Sequence, residues 1–223
     1  MCGRFSLIQD PNQLRATFAW LNIPDTLQPR YNVAPTQPVA VVPNDGRNQL
    51  EFFIWGLIPF WAKDPSIGNR MINARAETLA EKPAFKSALR HRRCLVLTDG
   101  FYEWKQEPGK KSKTPMRIQL KSGQPFAFAG LWEKWNSPDG SEVRSCTIIT
   151  TQPNEFMSTI HNRMPVILPE MDYAHWLDPD TSDSNQLQGL LKPYPSERMT
   201  AYPVSTLVNN PANDIASVIQ PLA

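Results

Sequence analysis

The sequence predicts an α+β fold: a curled antiparallel β-sheet or barrel core with a few peripheral helices. Three observations point there. Short runs rich in β-branched and aromatic residues recur through much of the 223-residue chain. Turn-forming clusters separate several of these runs. Helical periodicity is confined to short segments, and 22 prolines scattered along the chain work against long helices.

Asp10-Pro11 starts a helix, with an N-cap residue followed by proline at the first helical position. Leu14, Phe18 and Leu21 recur at helical spacing, so residues 11–21 read as amphipathic, and Pro24 lies beyond their end. Residues 38–43 (PVAVVP) and 50–55 (LEFFIW) are strands flanking a turn at Asn44-Asp45-Gly46. A second helix runs from Pro83 to about Arg90, with Phe85 and Leu89 facing inward. Strands follow at 93–98, 101–105, 115–120, 125–132 and 144–151. Turns at Glu107-Pro108-Gly109, Lys121-Ser122-Gly123 and Ser137 to Gly140 separate several of them. A helix follows Pro169, another runs from about Asp183 to Leu191, and a last strand lies near 200–205.

The length suits one domain over residues 1–223, without repeats or low-complexity linkers. Hydrophobic residues make up 41% and charged residues 20%, which argues against disorder. The net charge is only +2, so any basic surface must be local. One such cluster joins Lys82 and Lys86 to Arg90, His91, Arg92 and Arg93, and its simplest reading is a solvated helix end. Cys2, Cys94 and Cys146 are too few and too scattered for a secreted disulfide framework. Cys94 and Cys146 sit in apolar runs and read as small buried hydrophobes. Neither a zinc-ligand spacing nor a phosphate-cradling glycine loop is visible, so neither metal nor cofactor is expected. Signal-peptide and membrane-span patterns are absent from the sequence, which places the protein in the cytoplasm, or in the nucleus of a eukaryote.

Four segments carry candidate chemistry. Removal of Met1 would leave Cys2 with a free amine and a thiol on adjacent carbons. The amine, with a pKa near ~8, is partly neutral at pH 7. It can form a Schiff base with an aldehyde, and the thiol can then close a thiazolidine ring. The alternative is an accident of the start codon. In Asn73-Ala74-Arg75-Ala76-Glu77, Asn73 and Arg75 can position a polar ligand, and the arginine fork suits phosphate. The alternative is a turn with a surface ion pair. In Asp99 to Trp104, Glu103 alternates with aromatic neighbours, and a carboxyl in an apolar pocket can act as an acid or base near pH 7. An outward-facing strand glutamate is the alternative. His161, in Thr159 to Pro165, reads as a proton shuttle or a satisfied core histidine. His91 and His175 read as structural or surface residues.

Taken together, these segments resemble one family. MCGRF, RYNVAPT (30–36), Trp55 to Trp61, INARAET, DGFYEW and IHNRMP occur in the order seen in the SOS-response-associated peptidase (SRAP) family, and the resemblance covers nearly the whole chain. It implies that Cys2 captures the ring-opened aldehyde of an abasic site in single-stranded DNA as a thiazolidine cross-link. That would shield the lesion, with lyase chemistry and cross-link reversal as side reactions. It also implies that Asn73 orients Cys2 and the sugar, that Glu103 is the acid/base, and that His161 assists ring opening and reversal. Arg75 and Arg163 match DNA-facing arginines, and Thr150 matches a pocket threonine. Arg4, Phe60 and Trp61 complete the expected DNA surface. Where some bacterial members carry two adjacent tryptophans beside the lesion, this chain has Phe60-Trp61. A monomer is expected, nucleoid-associated in a bacterium, with replication or repair proteins as further partners. Two competing readings remain: an N-terminal-nucleophile cysteine peptidase or amidohydrolase, and a non-catalytic DNA-binding module.

Overall fold

The computed structural model describes residues 2–109 and 111–222. Met1, whose removal the sequence reading requires, lies outside the described residues. The barrel expectation holds. Strands β3 (Pro38–Pro43), β4 (Glu51–Trp55), β6 (Arg93–Thr98), β9 (Phe126–Asn136) and β10 (Glu142–Thr151) are joined in the order β10-β4-β3-β6-β9, and a β9–β10 pairing closes the ring. A second, five-stranded sheet has the order β13-β8-β7-β1-β2. It is built from β1 (Phe5–Leu7), β2 (Arg30–Val33), β7 (Gly100–Lys105), β8 (Thr114–Leu120) and β13 (Met199–Pro203).

The pairing is not wholly antiparallel. β10 runs parallel to β4 and to a three-residue strand, β5 (Asn73–Arg75). Parallel neighbours need a long crossover, and the chain between β4 and β10 supplies one by first building β6 to β9. The short strands β5, β1, β2, β11 (Met164–Pro165) and β12 (Ile167–Leu168) escape a sequence reading. Each has too few residues for a two-residue alternation to register.

Alternation sorts the barrel strands into two faces. Ala40, Val42, Leu95, Leu97 and Ile149 pack under helices through Leu14, Leu89, Trp176 and Leu187. Those side chains belong to α1 (Pro11–Thr17), α2 (Pro83–His91), α4 (Tyr173–Leu177) and α5 (Ser184–Gly189). The alternate residues Val39, Val41, Phe53, Val96, Phe128 and Ile148 share a cluster with Phe5, Phe101 and Ile118 of the second sheet. Cys94 and Cys146 are fully buried in that cluster, as expected.

Helix α1 carries the expected cap. The Gln13 N–H donates to Asp10 Oδ1 at 2.9 Å, and the Asp10 N–H donates to Gln13 Oε1 at 3.0 Å. The helix stops at Thr17, earlier than its apolar spacing suggests. Phe18 leaves helical geometry (φ −111°, ψ 64°) and turns its ring toward Tyr173. The basic run after α2 is not a solvated helix end throughout. Arg93 is fully buried and donates to the carbonyls of Trp176, Leu89, Arg90 and Asp178. Arg92 pairs with Glu133 at 2.8 Å.

Gly56 directs the chain out of β4 into the segment that carries Phe60 and Trp61. Its φ of +136° suits glycine, and a Cβ there would lie 2.7 Å from the Gly68 carbonyl oxygen. Gly56→Ala should therefore destabilise the fold by about 2–3 kcal/mol. For a chain of this size that lowers Tm by about 5–10 °C. Gly109→Ala, at φ +77° with open space around it, should cost clearly less in the same calorimetric scan; equal costs would refute the close-approach argument.

Candidate active site

The site lies where the two sheets meet. β1 pairs antiparallel with β7, placing Phe5 opposite Phe101, and the Tyr102 N–H donates to the Arg4 carbonyl at 2.9 Å. Continuing that register backward sets Gly3 opposite Glu103, with Cys2 one residue further on and close enough for the charge of Glu103 to act on its thiol. The barrel supplies the other wall. β5 lies against β10, placing Asn73 opposite Ile148, and Asn73 Nδ2 donates to the Cys2 carbonyl at 2.8 Å. Asn73 Oδ1 is buried and has no hydrogen-bond partner among the described residues.

His161 follows the single turn of α3 (Glu155–Ser158), and its N–H closes on the Met157 carbonyl at 2.8 Å. His161 Nε2 lies 3.8 Å from Glu103 Oε2. The opposite ring nitrogen, Nδ1, meets the Arg163 N–H at 3.1 Å and the Arg163 carbonyl at 3.3 Å. An N–H can only donate, so the shorter contact makes Nδ1 an acceptor in the neutral ring. The proton then sits on Nε2 and faces Glu103.

Burial sets the electrostatics. Glu103 is 2% exposed, and loss of water raises its carboxyl to about 7. Burial pushes the fully enclosed Cys2 thiol far above its ordinary range, and the charge of Glu103 adds to the effect. Burial also lowers the His161 imidazole. At neutral pH the site therefore holds a protonated thiol, a neutral imidazole and a carboxyl near its midpoint. Of these groups the Glu103 carboxyl is the one suited to exchanging protons at little cost.

Cys2, Asn73, Glu103 and His161 are thus brought together. The residues expected on a DNA surface divide. Phe60 (60% exposed) and Trp61 (50%) stand in solvent, and Arg75 is exposed. Arg4 does not reach the surface. It is buried, and Nη1 donates to Asn32 Oδ1 at 2.7 Å and to the Val208 carbonyl at 2.5 Å. Its guanidinium is spent on tying the C-terminal segment to β2. Arg163 is also largely buried. It donates to both Glu77 oxygens at 2.6 and 2.9 Å and to the Thr150 carbonyl at 2.7 Å. Thr150 is fully buried beneath it.

Glu77 was not among the expected site residues. Its pairing with Arg163 holds its carboxyl below the usual range. It also ties the segment bearing Asn73 to the one bearing His161. The surface-ion-pair reading of this run was therefore partly right, but the partner lies 86 residues away and no local pattern reveals it.

The sequence profile described as SOS response associated peptidase (SRAP) matches residues 1–211. The chain belongs to the SRAP family. Abasic site processing protein YoqW of Bacillus subtilis (strain 168) is 51% identical over 227 residues, covering 99% of each chain. Abasic site processing protein YMR114C of Saccharomyces cerevisiae is 32% identical over 257 residues, covering all of this chain and 68% of its own. A solved structure from Bacteroides thetaiotaomicron matches with a TM-score of 0.89 at 28% identity over the full length of both chains.

Nitrogen-15 NMR tests the imidazole in this SRAP protein directly. His161 should show the Nε2–H tautomer at neutral pH and titrate below the ordinary ~6.5. A midpoint above that value would mean the carboxylate of Glu103 outweighs burial.

Proposed function

We propose that this SRAP protein captures abasic sites in single-stranded DNA covalently through Cys2. The observation that carries the reading is the meeting of Cys2, Asn73, Glu103 and His161 at the seam between the sheets. The names of the relatives and the shared family support the substrate class. Removal of Met1 frees the Cys2 amine, and such a role suits a protein of the cytoplasm or nucleus.

An abasic deoxyribose is mostly a closed hemiacetal. Opening it takes a proton from the anomeric hydroxyl and delivers one to the ring oxygen, leaving an aldehyde. His161 and Glu103 are placed to move those protons. The neutral Cys2 amine then adds to the aldehyde carbon, and the carbinolamine loses water to give an imine. The Cys2 sulfur adds to the imine carbon while its proton passes to the nitrogen. The product is a thiazolidine, with no other reactant consumed. A competing base-catalysed loss of the sugar's α-proton would eliminate the 3′ phosphate, which is lyase chemistry. Enclosing the thiol beside the amine favours ring closure. Asn73, bonded to the Cys2 carbonyl, holds the nucleophile's backbone, and Arg75 offers an exposed charge to the strand.

On a denaturing gel, protein with Met1 confirmed absent should form a heat-stable adduct with a single strand carrying one abasic site, and none with the intact strand. Cys2→Ala should abolish it. No adduct with a verified aldehyde, together with turnover of peptides, would favour the N-terminal-nucleophile peptidase instead. A normally bound strand that never becomes covalent would favour a non-catalytic binding module.

The single-turnover rate should fall as pH drops through about 7. Below that value Glu103 is protonated and can no longer accept the amine proton. Glu103→Gln should slow capture by about 10²–10⁴-fold. It should also leave only the inflection of the amine near ~8. An unchanged rate and profile would remove Glu103 from the mechanism.

A further inference from the structure

On the helix-covered side of the barrel, away from the seam, lies a cavity of about 420 Å³. Trp20 and Tyr173 give it aromatic walls, Asn48 and Ala174 stand exposed at its rim, and Glu170 and Asp178 supply charge. Among the described residues neither lysine nor arginine lines it. The walls are fixed in place. The Asn22 N–H donates to the Asn48 carbonyl at 2.8 Å, and the Leu50 N–H to the Asn22 carbonyl at 3.0 Å, so the β3–β4 turn is fastened to the segment bearing Trp20. The Ala127 N–H donates to the Tyr173 hydroxyl at 3.0 Å. The two ring centroids lie 6.4 Å apart at 63°, which makes the rings a corner.

The surroundings are acidic in a chain whose net charge is +2. Residues 168–183 include Glu170, Asp172, Asp178, Asp180 and Asp183, one histidine, His175, and no lysine or arginine. The Thr181 hydroxyl and the Asp180 N–H hold the Asp178 carboxyl below the usual range, with smaller help from Arg93 and His175. The Arg93 guanidinium itself is spent on backbone carbonyls. The Glu170 side chain makes neither a hydrogen bond nor an ion pair among the described residues.

Each feature narrows the occupant. Carboxylates repel a phosphate strand. A bare metal ion needs several converging ligands, and among the described residues no three such side chains meet. An organic cation satisfies both the charge and the rings, because the faces of Trp and Tyr attract guanidinium and ammonium groups. Guanidinium fits better, since its plane stacks on a ring while its fork bonds a carboxylate. Met171 decides the source. It is 86% exposed, and with Glu170 and Tyr173 it lines an adjoining concavity of about 370 Å³. A free small cation leaves that side chain in water, whereas a polypeptide that carries the cation covers it.

We propose that this cavity receives an arginine side chain from a basic segment of a partner protein, stacked on Trp20 and paired with Glu170, so that the partner docks on the face away from Cys2. The proposal does not depend on the reading of Cys2 as the capture residue.

The test follows the Trp20 indole N–H and the Ala174 amide by nitrogen-15 NMR while the full chain is titrated with acetyl-Gly-Arg-Gly-Arg-Gly amide. Peptide at up to about 5 mM covers a Kd of about 1 mM. Both resonances should move and saturate, and the matched glutamine peptide should leave them in place. Glu170→Gln should weaken binding about 10-fold, and Trp20→Leu at least about 3-fold. Ala174→Arg, which fills the cavity from the exposed face of α4, should abolish binding at an unchanged melting temperature, separating loss of the site from loss of the fold. The proposal is overturned by resonances that do not saturate, by an equal response to the glutamine peptide, or by binding that survives Ala174→Arg. Equally tight binding of 1,4-diaminobutane would make this a small-cation site and overturn the docking of a protein. A dimer of the free chain in sedimentation, lost in Ala174→Arg, would put a second copy there and overturn it too.

Discussion

The chemistry depends on a buried ion pair that locks a three-residue strand. Asp99 and Arg117 meet at 2.9 Å with side chains 2% and 3% exposed. The Ser6 hydroxyl donates to Asp99 Oδ1 at 2.6 Å, and the Ser6 carbonyl accepts from Thr98 Oγ1 at 3.0 Å. Arg117 belongs to β8 and Ser6 to β1, so the network crosses the sheet beneath the site. A buried pair of this kind is weak evidence for net stability, since desolvation offsets much of its attraction. Its consequence here is register. Side chains alternate with period two, so a one-residue slip of β1 would turn its side chains to the wrong face and break the hydrogen bond that Asn73 makes to the Cys2 carbonyl. The network also accounts for the Asp-Gly step. A Cβ on Gly100 would sit 2.8 Å from Arg117 Nη2, so a larger residue would drive the guanidinium off Asp99.

The second requirement is that the site be a seam and not a surface. β7 brings Glu103 and β1 brings Cys2, while β5 and the turn after α3 bring Asn73 and His161 from the barrel side. Facing sheets exclude water, and exclusion of water is what holds the Glu103 carboxyl near 7. The same glutamate on an outward-facing strand position would be ionised at neutral pH and a poor acid. The Arg163–Glu77 clamp closes the far end of this seam. It fixes Arg163, whose backbone N–H in turn fixes the His161 ring. Position and proton affinity thus come from one arrangement.

What was legible in the sequence follows the range of each signal. The long barrel strands and the α1 cap announce themselves because alternation and capping are local patterns. The residues that meet at the seam were found through six ordered motifs and the chemistry of a terminal aminothiol, not through periodicity. β1 and β5, which position Cys2 and Asn73, are three residues long and exist because of neighbours distant in the chain. Arg4 and Arg163 were expected at the surface for the same reason. An arginine in a motif shows what it can bond, and only tertiary structure shows that Asn32 and Glu77 already occupy it.

That correction changes how the net charge of +2 should be understood. Arg4, Arg93, Arg117 and Arg163 are all buried, and their guanidiniums are bonded to internal carbonyls, amides and carboxylates. They contribute little to the field that an approaching strand meets. What remains outside near the site is sparse: Arg75, the cations of α2 and two exposed rings. Each phosphate contact in a single strand contributes a modest, salt-sensitive increment, so under the proposed function a footprint of this size would bind undamaged DNA weakly. Weak, sequence-blind contact suits the proposed recognition of an aldehyde. Under that proposal the protein would sample and leave intact strands quickly, while the covalent step at Cys2 would supply retention wherever a lesion is met. A strongly basic surface would oppose this by holding the protein on undamaged DNA, where the aminothiol has nothing to react with.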